Sequence, residues 1–336
     1  MAYETSALNA LGTYKQTGNW QLVTSNLDRQ AQPNPFLFVN KGMNFTIKEL
    51  EALSGIKAHT IRIWEQRYHF LQPSRTETNI RRYNNEELKT LLTVALLNKY
   101  GYKISRIDEM THEQRAEAAL GLQQSDAQDE HIANVLIGYM VDLKGLELEK
   151  LLTEQVHKQG MEKTIAGIVF HFLERVGILW QTNRLRPVQE HLVSSIIRQK
   201  IICGIDSLPL PSSTAPLFVL FLPEAEHHEL GLLYVYYLLR KRGLPVIYLG
   251  ANVPLKDMEH ILPRRRPQYI YTHLTSYSGH AKFQRFMERL SEDAVHIQST
   301  VLLSGFVAQL FKKPQWPNVV LLQTLSSVQS YIQAIR

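Results

Sequence analysis

The chain has 336 residues, 44% of them apolar, enough for two or three domains with buried cores. Its single cysteine, Cys203, excludes an intrachain disulfide and any cysteine-based zinc site, which suits a reducing cytoplasm. The net charge of +6 admits nucleic acid as a partner without requiring it, and no apolar run approaches the roughly 18 residues of a membrane span.

Residues 1–42 show no sustained period and are rich in Asn, Gln, Ser and Thr. They lack the apolar core of a signal peptide. They read as a disordered tail, or as a mis-called start ahead of Met43. From Phe45 the pattern is helical. Thr46 and Glu49 form a capping box, Leu50 and Leu53 give an apolar face, and Ser54-Gly55 breaks it. A second helix, from Ala58 to about Arg67, turns Ile61 and Trp64 inward. Two helices joined at a glycine are a helix-turn-helix, or any αα-hairpin of a bundle. "PSRTETNIRRYNNEEL" follows, with Arg75, Arg81, Arg82 and Tyr83 close together and Asn79 at the tip, where a left-handed residue is useful. It reads as a basic wing able to reach phosphates, or as a solvated turn. Asn84 then caps a helix through Leu88, Leu91, Leu92, Ala95 and Leu96.

Taken in this order, "FTIKELEALSGIKAHTIRIWEQRYHFLQPSRTETNIRRYNNEELKTLL" resembles the winged-helix DNA-binding domain of MerR-type transcription regulators. The likeness covers about seventy residues, 43–111, and departs at Asn79, where the family usually has glycine. It implies that Arg62 lies on the recognition helix and that Arg75, Arg81 and Tyr83 lie on the wing. Tyr68 and Arg82 complete the set expected at a double-stranded operator, which such proteins usually grip as dimers.

Residues 112–130 are polar and rich in Gln and Ala, and read as a linker with partial helix. Four helical patterns follow, near 131–141, 145–159, 163–180 and 187–204, with Pro187 opening the last. Short connections make them an antiparallel four-helix bundle over 131–208. The third ends at Trp180, and Glu190 and His191 lie near the start of the fourth. Trp packing a bundle end and Glu at a helix N-terminus are also ordinary structural choices.

Beyond 215 the period changes. "LFVLFL", "VIYLGA", "YIYTHLT", "TVLLSG" and "VVLLQ" alternate with helices at 229–242, 255–262, 279–291, 306–312 and 325–335. Five strands each followed by a helix predict a parallel, doubly wound sheet, which binds ligands at the carboxyl ends of its strands. "PEAEHHELG", residues 223–231, leaves the first strand at that edge. There Glu226 can hold one nitrogen of His228, and Gly231 admits a close approach. His227 lacks that register and ranks second. Alone, Glu-x-His-x-x-Gly is more often a surface loop than a site. "PRRRP", 263–267, reads as a solvated loop.

Together these two stretches resemble the cobalamin-binding module shared by methionine synthase and the CarH/LitR type of MerR photoreceptor repressors. That module is a four-helix bundle followed by a flavodoxin-like (Rossmann-type) α/β domain, here 215–336. Its Asp/Glu-x-His-x-x-Gly fingerprint is matched by Glu226, His228 and Gly231, and its Trp, nine residues, Glu-His by Trp180, Glu190 and His191. The resemblance implies His228 as the axial ligand to cobalt with Glu226 behind it. It places Trp180, Glu190 and His191 over the adenosyl group. Thr272 and Leu274, and Ser304 and Gly305, stand where the family has Ser-x-Leu and Gly-Gly beside the nucleotide tail.

The expected protein is therefore multidomain and cytoplasmic: a transcriptional regulator of repressor type, with adenosylcobalamin as cofactor and light as signal. Operator DNA, a homo-oligomer (dimer or tetramer) and an antirepressor protein are its expected partners. Two other functions compete. One keeps the DNA-binding domain and empties the pocket, leaving a module for dimerisation or partner contacts. The other, a corrinoid methyl carrier or mutase subunit, is opposed by the N-terminal domain and by the absence of any catalytic domain beyond the binding module; "LTSYSGH" holds Ser and His but no G-x-S-x-G elbow or triad, so no enzyme is expected.

Overall fold

The computed structural model describes residues 43–181, 185–211, 214–276, 280–313 and 315–335, without the side chains of Trp180, Gln181 and His280. The expected N-terminal tail, 1–42, lies outside these residues. Helix α1 (Ile47–Ser54) starts at Thr46, whose hydroxyl accepts the Glu49 N–H at 3.4 Å while the Glu49 carboxylate accepts the Thr46 N–H at 2.6 Å. Such reciprocal caps contribute about 1 kcal/mol each. Gly55, at φ 72°, ends the helix, and α2 (Ala58–Arg67) buries Ile61 and Trp64 as its spacing predicts. The wing is a two-stranded antiparallel ribbon, β1 (Ser74–Arg75) on β2 (Arg81–Arg82), with Asn79 at φ 61° in its turn. Its root is sewn to the start of the module by mutual backbone bonds between Phe45 and Tyr83.

Helix α3 (Asn85–Lys99), boxed by Asn84 and Glu87, carries a fully apolar face. The stretch expected to be a linker with partial helix is folded throughout most of its length. After α4 (Ile104–Glu109), α5 (His112–Leu120) has its own Thr111–Gln114 capping box, and α6 (Ser125–Val141) begins well before the bundle was expected to. Ala119, Leu122 and Ala127 are buried there, so polar composition masked three core positions. Polar contacts tie α3 to α6 and the loop beyond it: Lys89 and Asn85 reach Asp142 at 2.5 and 2.9 Å, and Lys99 reaches Glu130 at 2.7 Å.

The bundle is completed by α7 (Gly145–Gln159), α8 and α9 (Pro187–Asp206). We count as α8 three continuous pieces spanning 161–181: a turn at Met161–Lys163, a π-helical segment at Thr164–Val169 and an α-helix at Phe170–Gln181. The π segment has no signature in the residue pattern.

The C-terminal unit follows the expected alternation: β3 (Phe218–Pro223), α10 (Leu230–Lys241), β4 (Val246–Val253), α11 (Leu255–Arg265), β5 (Tyr269–His273), α12 (His280–His296), β6 (Thr300–Ser304), α13 (Phe306–Gln309), β7 (Val319–Leu322) and α14 (Leu325–Ala334). All five strands are parallel, in the order β4-β3-β5-β6-β7. The basic run at 263–267 is not simply a loop, since Pro263, Arg264 and Arg265 form the exposed last turn of α11. The inner strands β3, β5 and β6 are buried on both faces, which explains their near-continuous apolar sequences, while the edge strand β4 is mostly half-buried. Leu220, Leu222, Tyr271 and Leu302 pack with α10 and α14, whereas Val219, Phe221, Ile270, Val301 and Leu303 pack with α11 and α12. Strands β3 and β5 are neighbours that feed helices on opposite faces, so their loops part and leave a crevice at the carboxyl edge. Among the described residues no helix is long and apolar enough to cross a membrane.

The far rim of this crevice is formed by Gly305, at φ 91° and ψ −175°, a region open essentially to glycine alone. A Cβ there would also overlap the Leu274 backbone. We predict that Gly305→Ala lowers the unfolding free energy by about 1–3 kcal/mol or more, read by denaturant titration. A loss below a few tenths would mean that this loop relaxes freely.

Candidate functional site

Strand β3 delivers its loop into the crevice, and the loop is pinned from both sides. Ala225, at φ 68°, donates its N–H to Asn252 Oδ1 at 2.9 Å, and the Asn252 N–H returns to the Glu226 carbonyl at 3.2 Å. The Glu226 side chain is 1% exposed. Its Oε1 accepts the His228 backbone N–H at 3.0 Å and lies 2.5 Å from His228 Nδ1. Its Oε2 accepts the backbone N–H groups of Thr275 and Ser276 at 3.1 and 2.8 Å. One carboxylate thus bridges the loops of β3 and β5. Burial alone would raise its pKa, but the bonds from His228 and Ser276 outweigh it and hold the carboxyl at about 2. The hydrogen bond to Glu226 raises the His228 pKa against the opposing effect of burial, and Glu190 of the bundle adds to the rise. Glu190 is therefore within electrostatic reach of His228.

With its proton on Nδ1, His228 presents the Nε2 lone pair outward. Its side chain is 61% exposed, and Nε2 makes no hydrogen bond among the described residues. His227 is exposed as well and makes no side-chain bond among them. On α9, the Glu190 carboxylate and the His191 ring approach only loosely, Oε2 to Nδ1 at 3.4 Å, with the His191 side chain 75% exposed. The Trp180 side chain lies outside the described atoms, so its expected meeting with Glu190 is not part of this picture.

The inner half of the crevice differs from expectation. Thr272 is fully buried and its hydroxyl has no partner among the described residues, while Leu274 is part of the apolar core on the α11–α12 side. Ser304 is buried and already engaged: it accepts the Tyr271 hydroxyl at 2.6 Å and lies 2.8 Å from His273 Nδ1. The His273 ring lies over Gly231, where an added Cβ would overlap Nε2, Cδ2 and Cε1 at 2.7 Å or less. Burial pushes the His273 pKa down to about 4, Glu226 pulling up and His228 pushing down, so the ring is neutral. The sequence reading named Thr272 and Leu274 but passed over His273 between them. Strand alternation was the available signal: Tyr271 and His273 share the face covered by α10, opposite Thr272.

At the N-terminal end, Arg62 on α2 is exposed and so is Arg75 on the wing. Arg81 is not free: its Nε lies 2.7 and 3.0 Å from the two Glu65 oxygens. Arg75 leans on the same carboxylate at 3.7 Å and donates to Asn79 at 2.8 Å. Tyr83 corrects the expectation of a DNA-facing residue. It is 0% exposed and its hydroxyl donates to Glu65 at 3.2 Å. Residues 81 and 83 share one side of the ribbon, and that side meets α2. Arg82 is partly buried, with one guanidinium nitrogen lacking a partner among the described residues, and Tyr68 is half-buried and stacked on Phe70.

Comparison with known proteins fits this division. Residues 45–114 match the family described as MerR HTH family regulatory protein, and residues 132–202 match the B12 binding domain. The HTH-type transcriptional repressor CarA of Myxococcus xanthus is 28% identical over 230 residues, covering 68% of this chain and 75% of that protein. CarH of the same organism, also described as an HTH-type transcriptional repressor, is 26% identical over 246 residues, covering 71% and 82%. Among solved structures, the monomethylamine corrinoid protein of Methanosarcina barkeri aligns at TM-score 0.48 and 12% identity, covering 62% of this chain and all of that one; a likeness of that size supports no inference. The curated relatives are repressors rather than enzymes, in keeping with the expectation of no catalysis. The chain joins a MerR-type helix-turn-helix module to a B12-binding domain and is homologous to the CarA and CarH repressors of Myxococcus xanthus.

Proposed function

We propose that this protein is a cobalamin-binding transcriptional repressor that grips operator DNA as a homo-oligomer and lets go on illumination. The observation that carries the reading is the Glu226–His228 pair, a buried carboxylate that orients an exposed imidazole at the switch point of the sheet. Among the described residues no group of three or more His, Cys, Asp or Glu could hold a bare metal ion. A single imidazole donor suits a metal that arrives already held in a macrocycle.

His228 would be the protein's ligand to cobalt, with Glu226 fixing its tautomer. When bound, adenosylcobalamin supplies a cobalt–carbon bond that light cleaves. Glu190 and His191 would face the upper side of the ligand together with Trp180. Gly231, Ser304 and Gly305 would border the inner crevice, whereas Thr272 and Leu274 are buried behind it. The joint between bundle and sheet would sense the ligand. It combines an apolar core shared by α9 and α10, with Ile197, Ile201, Leu233 and Tyr237, with the edge-to-face contact of Phe170 and Tyr234 at 5.2 Å and the ion pairs Lys241–Glu162 at 2.5 Å and Arg198–Glu229 at 3.4 Å. On the DNA side Arg62, Arg75, Arg82 and Tyr68 would touch the duplex, while Arg81 and Tyr83 hold the wing on α2 through Glu65. An antirepressor protein would act on the same joint. The filled inner crevice favours a second reading, in which the module takes no cofactor and serves dimerisation or partner contacts.

A first experiment separates these readings: incubate the purified protein with adenosylcobalamin in the dark, desalt it, record the absorption spectrum, then illuminate. Retained cofactor with a spectrum altered by light supports the proposal; no retained corrinoid favours the second reading. We expect His228→Ala to abolish the protein-bound spectrum and Glu226→Gln to weaken retention by about 10–100-fold. Unchanged affinity and spectrum in both would remove His228 as a ligand. We also expect Arg62→Ala to weaken binding to duplex DNA from the gene's own upstream region and to reduce the log–log salt slope by about 1, with the cofactor spectrum unchanged. An unaltered slope would take Arg62 off the phosphates.

A further inference from the structure

Two glycines line the crevice at positions with no room for a side chain. At Gly305 the missing side chain would meet the Leu274 backbone, but at Gly231 it would meet only the His273 ring. The ring is held there by a relay. The Tyr271 hydroxyl donates to Ser304 Oγ at 2.6 Å, which leaves the Ser304 hydroxyl proton for Nδ1 of His273 at 2.8 Å. Chains of this kind polarise one another and fix each member. Register sets the geometry, because His273 and Ser304 are paired residues at the ends of β5 and β6.

The two halves of the site therefore differ. The outer half is open: His228 is exposed, oriented by Glu226, and free at Nε2. The inner half, between the first turn of α10 and the ends of β5 and β6, is filled by the chain's own imidazole. A complete cobalamin has to house a phosphate, a ribose and a benzimidazole as well as its ring, and more so once His228 has displaced that base from cobalt. A corrin ring without a nucleotide has nothing to house there.

We infer that His273 closes the inner crevice and makes the site select a corrinoid lacking the nucleotide tail over complete cobalamin. The inference rests on the proposed role of His228 and concerns only what accompanies the ring. To admit a tail, His273 must leave Gly231 and break its bond to Ser304, which leaves the proton of the buried Ser304 hydroxyl to find a new acceptor.

The test is equilibrium dialysis and absorption titration of the full-length protein in the dark with aquocobinamide, which has no nucleotide, and with aquocobalamin. The wild-type protein should bind the cobinamide about tenfold or more tightly than the cobalamin, the size expected for one lost buried hydrogen bond and a displaced ring. His273→Ala should raise cobalamin affinity by a similar factor and leave cobinamide affinity within about threefold. Because cobinamide binding also reports an intact site, it tells an opened crevice from a misfolded variant, and the wild-type preference is measured without any variant. Equal or stronger binding of cobalamin by the wild type overturns the inference, as does a cobalamin affinity unmoved by His273→Ala. If neither corrinoid binds either protein, the corrinoid reading of His228 falls and this inference falls with it.

Discussion

A carboxylate buried to 1% exposure is tolerable only if its oxygens are filled, and Glu226 fills them from two separate loops. One oxygen takes the backbone and faces the ring of His228, and the other takes two successive N–H groups beyond β5. Because β3 and β5 send their chains to opposite faces of the sheet, nothing else in the strand ladder would hold those loops at a fixed separation. The same group sets the direction of the imidazole. Crevice width, imidazole tautomer and loop position are thus one constraint rather than three.

The N-terminal module repeats this arrangement in a more exposed setting. Glu65 gathers Arg81, Arg75 and Tyr83, and so fixes the angle between recognition helix and wing. Charge-assisted bonds to one carboxylate give geometry more than stability, since partly exposed ion pairs contribute at most about 1 kcal/mol each. The pairs between bundle and sheet have the same character. Lys241–Glu162 and Arg198–Glu229 flank the Phe170–Tyr234 contact at the margin of an apolar core shared by the bundle and α10, which includes Ile197, Ile201, Leu233 and Tyr237.

Much of the fold was legible because it is written in short-range rules. Thr46–Glu49 and Asn84–Glu87 mark helix starts through reciprocal caps, and Asn79 marks the wing turn by its tolerance of positive φ. The strands declare themselves through apolar runs of the right length between amphipathic helices. Where polar composition stood in for pattern, at 112–130, the reading expected a linker with partial helix and missed that the segment packs into the core through Ala119, Leu122 and Ala127. The site was legible in part. Glu226 and His228 are two residues apart, so their meeting is local. Tyr83 and Arg81 were misread because their partner, Glu65, sits sixteen and more residues away on another element.

The sequence by itself determined the modules, their order, the edge of the sheet where chemistry belongs and the imidazole that presents itself there, because caps, period and i to i+2 contacts act over a few residues. Only the tertiary structure decided which of the remaining candidates face outward and which are already taken. It placed the His273 ring on Gly231 and bound it to Ser304, contacts across 42 and 31 positions of chain whose existence depends on strand register and helix placement. Such contacts leave no local mark, because the residues that make them are neighbours only once the sheet has closed.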